Sequence, residues 1–307
     1  MRLRPVSLTL LLACALLACG TATAQSRYNY GGSSYAGEEG FVVFLEAGLA
    51  NPRDTDNVVA AVGPNVVIPE WDDEFAGRIG FGYEMGNGST LGLTVWSFET
   101  DQSEAGVGTF EFPIGPSDGF SFDVTTEIQA RTIDVAWAVA HEVTDSFEMQ
   151  WSAGLRYADF EETTDGLYGT TGGPRVAAKS NQGDMIGARL GGRGSYRVGS
   201  FSIGAGLGLS LLDGEIEAAS SLTPQPAGTV PLILTDDSRS GSILDLDVRA
   251  AWHGAGDSVS VWIGWEQQEW GDIAADLARN LPDSEVISRD RDSVTFSWVK
   301  GGVSYRF

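Results

Sequence analysis

The 307-residue chain carries 42 acidic against 19 basic side chains, for a formal net charge of −23, together with 40 glycines. That field excludes nucleic-acid binding, which needs basic stripes along the phosphates. No apolar run reaches the ~18 residues of a transmembrane helix, so residence in a membrane would require a closed barrel.

Arg2 and Arg4 precede the apolar run Val6 to Ala18, which small residues follow, and this predicts an export leader over residues 1–24. Two processing sites compete. Ala22-Thr23-Ala24 before Gln25 fits ordinary signal peptidase, whereas Leu16-Leu17-Ala18-Cys19 fits lipidation at Cys19; cleavage after Ala24 is preferred. Both cysteines, Cys14 and Cys19, then leave with the leader, and the mature chain has no thiol chemistry. Residues 25–39, Gly, Ser and Tyr without periodicity, predict a flexible periplasmic lead-in to a single β domain over 40–307.

Period-2 alternation then begins. Phe41, Val43, Leu45, Ala47 and Leu49 share one face with Glu46 opposite, and Asn51-Pro52 ends the run. Phe75 to Met85 alternates with Arg78 and Glu84, turns at Gly86-Asn87-Gly88-Ser89, and climbs again through Leu91, Leu93 and Val95. Ile133 to Val139 carries Asp134 on its polar face; Phe147 to Leu155 carries Glu148, with Arg156 following; Ile186 to Tyr196 carries Arg189 and Arg193. Phe201 to Leu209, Leu244 to Trp252 with Asp245, Asp247 and Arg249, Val259 to Trp265 with Glu266 beyond, and Ser293 to Phe307 with Lys300 complete ten strands.

Short and long connections alternate strictly. The four tight turns predict a periplasmic side, and the long acidic segments predict an extracellular side. A soluble sandwich has no reason to lengthen every second connection. The reading is an all-β, antiparallel, up-and-down transmembrane barrel of ten strands. Twelve follows if Glu215–Leu222 and Thr229–Leu234 form a further pair rather than extending the seventh and eighth strands.

In such a barrel the charges on the polar face line the lumen: Glu46, Arg78, Glu84, Asp134, Glu148, Arg156, Arg189, Arg193, Asp245, Asp247, Arg249, Glu266 and Lys300. Both signs are mixed, so they need water or each other. Either they form a salt-bridged plug or they ring a charged constriction; ten strands allow a narrow passage at best. Trp71, Trp151, Trp252, Trp265 and Trp270 fall near strand ends, as interfacial girdles require.

Lys300, Gly302, Tyr305 and Phe307 resemble the terminal signal of bacterial outer-membrane barrels, which implies recognition by the barrel-assembly machinery. GRIGFGYEMGNGSTLGLTVWSF at Gly77 to Phe98, WSAGLRYADFE at Trp151 to Glu161, GARLGGRGSYRVGSFSIGAGLGLSLL at Gly187 to Leu212 and VTFSWVKGGVSYRF at Val294 to Phe307 resemble the Legionella-type major outer membrane protein family. The resemblance implies a pore-forming protein of the outer membrane, passing small solutes or ions, surrounded by lipid and lipopolysaccharide, with no catalytic residues. The alternative is a non-conducting structural or adhesin-like barrel acting through its acidic loops.

A hydrolase is the less favoured third reading. Asp245 and Asp247 pair two carboxylates on one face, but His141 and His253 fall near periplasmic turns, away from the extracellular rim where an omptin-type protease works. Ser258 and Ser260 lie near His253, again at the periplasmic end. No cofactor is expected. Asp54, Asp56, Asp72, Asp73, Asp101, Glu104, Asp236 and Asp237 could offer hard oxygen ligands to divalent cations, though no calcium-loop spacing is present.

Overall fold

Alternating apolar residues favour an extended backbone, and an extended strand in lipid must find hydrogen-bond partners along both edges. The chain meets both demands by closing on itself. The computed structural model describes residues 39–53, 60–62, 65–67, 70–110, 117–169, 175–224, 230–254, 258–272 and 293–307. The leader, most of the lead-in, and Asp54 and Asp56 lie outside these residues.

Ten antiparallel strands form the wall: β1 (Gly40–Arg53), β4 (Glu74–Glu84), β5 (Ser89–Phe110), β6 (Ser117–Thr144), β7 (Phe147–Tyr168), β8 (Arg175–Val198), β9 (Phe201–Pro224), β10 (Val230–His253), β11 (Val259–Gly271) and β12 (Ser293–Arg306). Each pairs with the next, and β1 closes the ring by pairing with β12, Val42 opposite Arg306 and Gly48 opposite Lys300. Turns at Gly88 and Gly199 take positive φ, which glycine adopts without strain. Two three-residue strands, β2 (Ala60–Val62) and β3 (Asn65–Val67), make a hairpin in the first long connection, and β2 touches β5 at Ala61–Thr109. The further strand pair considered for the sequence is therefore absent at 215–234, where the pairing continues β9 and β10.

The wall has two storeys of opposite polarity. On β9, Phe201, Ile203, Ala205, Leu207, Leu209 and Leu211 point outward over Ser202, Gly204, Gly206, Gly208 and Ser210. Above them the faces exchange character: Asp213, Glu215 and Glu217 point outward while Leu212 and Ile216 are buried within. β7 does the same, with Trp151, Ala153 and Leu155 outside below, then Asp159, Glu161 and Asp165 outside and Ala158 and Phe160 inside. The lower storey, about ten residues per strand, matches what a tilted strand needs to cross the hydrocarbon. The upper storey follows the rule of a water-soluble β structure. Strands β5 to β10, of 22 to 28 residues, carry it well above the membrane, while β1, β4, β11 and β12, of 11 to 14 residues, end at its base.

Aromatic side chains collect at the periplasmic edge of the apolar belt. Phe41 packs on Tyr83 and Tyr305 on Phe307, and exposed Trp137, Trp151, Tyr196, Phe201 and Trp252 complete that side. Trp265 faces outward near the extracellular edge, its indole N–H donating to Ser297 Oγ. Two tryptophans expected in the girdles are elsewhere: Trp270 is fully buried inside the barrel, and half-buried Trp71 packs against the same internal cluster.

Candidate functional site

Parity along each strand places the charged side chains of the lower storey on the enclosed side. β1, β4, β11 and β12, which flank the closing seam, supply one group. The Arg78 guanidinium donates to Glu46 Oε2 at 2.9 Å and to both oxygens of Glu266 at 2.7 and 2.5 Å, and Lys300 Nζ donates to Glu46 Oε2 at 3.2 Å and to Glu266. The Trp262 indole donates to Glu46 Oε1 at 2.9 Å. Two anions and two cations thus share one cage, with Gln268 donating to Glu266 from above.

The opposite wall supplies the second group. Arg156 on β7 grips both oxygens of Asp134 on β6 through Nε and Nη2 at 2.6 and 2.8 Å, and its Nη1 crosses the lumen to Asp245 on β10 at 2.9 Å. Arg189 on β8 joins from the side, donating to Asp245 at 3.1 Å. Below them Arg193 meets Asp247 at 2.6 Å, and the Arg249 guanidinium stacks over the Trp262 ring. Bidentate geometry of this kind is what compensates the burial of paired ions.

Glu84 pairs with Arg306 at 2.7 Å at the periplasmic floor, and Glu148 is buried beside it in depth. The acids Glu46, Glu84, Asp134, Glu148, Asp245, Asp247 and Glu266 and the bases Arg78, Arg156, Arg189, Arg193, Arg249, Lys300 and Arg306 face inward in equal number. A chain of strongly negative net charge therefore balances its inward charges below the roof, with Glu162 buried higher in the barrel. Arg306 was not among the residues singled out from the sequence, although its parity with Lys300 marks it.

The roof of this lattice escaped the sequence reading altogether. Trp96, Phe98, Phe160, Trp270, Phe296 and Trp298, each no more than 2% exposed, pack with Ala50, Ala76, Ile128, Ala130, Ala158, Met185, Leu212, Ile216, Ile243 and Val294. Ring centroids lie 5.4 to 5.7 Å apart around Phe296, in edge-to-face contacts. Arg78 and Lys300 both sit under the Trp298 ring, at 5.1 and 4.9 Å, so the roof is joined to the lattice by cation–π contacts. The visible signal was the alternation Phe296-Ser297-Trp298-Val299-Lys300, aromatic residues in step with Lys300 on the polar face.

His253 is buried at the floor, its Nε2 2.8 Å from Ser202 Oγ and its Nδ1 2.9 Å from Ser260 Oγ; the ring ties β9, β10 and β11 together. His141 is exposed near the β6–β7 turn, and Ser258 lies at the β10–β11 turn. Asp72, Asp73 and Asp101 are exposed, Glu104 is half-buried, and the side chains of Asp236 and Asp237 fall outside the described part. Among the described residues no three His, Cys, Asp or Glu side chains converge as metal ligands. Of the terminal signal residues, Lys300 and Gly302 face the lumen and Tyr305 and Phe307 the periplasmic rim. Gly302 has a physical reason to be glycine: a Cβ there would stand 2.4 Å from the Trp262 indole.

No protein-family model matches the chain, and no curated protein matches it. Solved structures do. The outer membrane protease OmpT of Escherichia coli is similar over 88% of this chain and 96% of its own, with a TM-score of 0.52 at 13% identity. Neisserial surface protein A (TM-score 0.35, 10% identity, 87% and 97% coverage) and the Ralstonia pickettii toluene transporter TbuX (0.35, 13%, 89% and 90%) also match. The closed ten-stranded antiparallel ring, its apolar belt and the likeness to the first of these structures define an outer-membrane β-barrel protein. The chain resides in the bacterial outer membrane.

Proposed function

We propose that this protein is a closed, non-conducting outer-membrane barrel that carries a folded acidic β platform on the cell surface and acts through that platform, with no enzymatic step of its own. One observation carries the reading. Every one of the ten wall strands sends at least one buried apolar side chain into the roof, from Ala50 on β1 and Ala76 on β4 round to Phe296 on β12, so apolar groups from the whole circumference meet across the lumen in the path a hydrated ion would take. Beneath it, the lattice leaves no net charge to select ions. Above it, Asp101, Asp123, Asp165, Asp184, Asp213, Glu215 and Glu217 are exposed on the outer face of the extended strands, where contacts with the surroundings are made.

The strand blocks that resemble the Legionella-type major outer membrane proteins support the competing reading, passive passage of small solutes. Conductance divides the two. The mature protein, refolded and heat-modifiable, is placed in a planar bilayer; silence is the expected result. Reproducible single-channel steps with a defined reversal potential would overturn the closed reading and restore the pore.

A further inference from the structure

We propose that the lower storey carries a retained phospholipid site on its outer surface, in the periplasmic leaflet, which seats one acyl chain against β8 to β11. A cavity of about 430 Å³ opens there on the lipid-facing side. Its origin is one small residue. Ala250 on β10 points outward between its cross-strand partners Ile203 on β9 and Ile263 on β11, and both isoleucines stand well exposed as banks above the methyl floor. Trp252, two residues toward the periplasm, closes the lower end, and Tyr196 and Phe201 form the side rim.

The occupant follows from depth and chemistry. The groove is continuous with the apolar belt, so it is covered by membrane and not by water. Its rim residues belong to the periplasmic girdle, and the turns at Gly199 and Gly254 lie immediately below. A chain seated there belongs to the phospholipid leaflet and not to lipopolysaccharide, which fills the opposite one. The outward lining is hydrocarbon and aromatic, with no charge to bind a headgroup, so recognition is of the chain: dispersion contacts gather on both sides of a trough that a flat barrel wall would not provide. This site is independent of whether the lumen conducts.

The test is native mass spectrometry of the full-length mature protein extracted from nanodiscs of phosphatidylethanolamine and phosphatidylglycerol, with lipopolysaccharide added to a parallel sample. Wild type is expected to retain one phospholipid. Ala250→Phe, which fills the floor, should lower retention roughly tenfold, the effect of losing contact with about two methylene groups. Ile263→Ala, which lowers one bank, should act in the same direction, and Leu93→Phe on the far side should not. Heat-modifiable mobility verifies that each variant is folded. Equal retention in wild type and both groove variants would overturn the proposal, as would retention of lipopolysaccharide in place of phospholipid, or a dimer that Ala250→Phe dissociates.

Discussion

Arg156 and Asp245 meet across the lumen at 2.9 Å, joining β7 to β10 through the barrel's interior and not along its wall. Removing the guanidinium leaves two buried carboxylates, Asp134 and Asp245, to share the single cation Arg189. Arg156→Ala should therefore destabilise the barrel by about 3–5 kcal/mol, the usual effect of breaking a buried pair. The triple variant Arg156→Met, Asp134→Asn, Asp245→Asn should recover much of the loss. Urea unfolding from lipid vesicles, followed by heat-modifiable mobility, measures both; an unchanged midpoint for Arg156→Ala would show that the pair contributes nothing.

The roof predicts a gain of conductance. Trp270→Ala, Phe296→Ala and Trp298→Ala together remove the centre of the apolar layer, and a previously silent barrel should then give small, frequent current steps. The single change Phe296→Ala should cost about 3–5 kcal/mol, as a large aromatic does when deleted from a packed core. If the triple variant folds and remains silent, the charged lattice alone holds the lumen shut.

The exchange of polarity at the extracellular interface predicts opposite outcomes for the same introduced arginine ten positions apart on β9. Leu207→Arg, in the belt, should cost about 2–4 kcal/mol. Glu217→Arg, on the outer face above it, should change stability by no more than about 0.5 kcal/mol. Folding yield into vesicles and urea midpoints check both, and equal penalties would move the membrane boundary.

Gly302→Ala should weaken the seam by about 1–3 kcal/mol through overpacking. The added methyl meets the Trp262 indole, which must swing away and lose its bond to Glu46. Tryptophan emission should shift with the urea midpoint. A variant with normal emission and stability but slow assembly would place the glycine's role in recognition instead.

Tyr168, at the upper end of β7 and above the membrane, has its phenol pushed up to about 12 by burial. The neutral form is favoured by folding, so this contribution is complete below pH 10 and is lost as the pH rises toward 12. An ultraviolet titration should show a phenol ionising late, near pH 12, and Tyr168→Phe should remove that step from the curve.

The lower storey was legible because its physics is simple. Where lipid requires Leu45 and Ala47 outside, the residue between them can only turn inward, and Glu46 does. The upper storey was legible in topology but not in polarity. The same parity continues through Phe160 and Trp270, yet their outward neighbours Asp159, Glu161 and Glu269 belong to water, so an aromatic there is core and not girdle. Period-2 reasoning reports which residues share a face; it does not report what lies beyond that face. Nor could spacing reveal that Arg156 would choose Asp245, 89 positions away, since that choice depends on barrel diameter.

The four-ion cage at the seam has a meaning for how the ring shuts. Glu46 and Arg78 come from the beginning of the chain, Glu266 and Lys300 from its end, and the contacts between the two halves span 188 to 254 positions. Each half, an acid beside a base, is neutral alone and matches the other only when β1 and β12 meet with Gly48 opposite Lys300. A slip by one residue would turn Lys300 out into lipid, and a slip by two would leave it short of Glu46. The cage is thus a tumbler lock at the join: the last strand fits in a single position, and a barrel closed out of step carries unmatched ions that give it every reason to reopen.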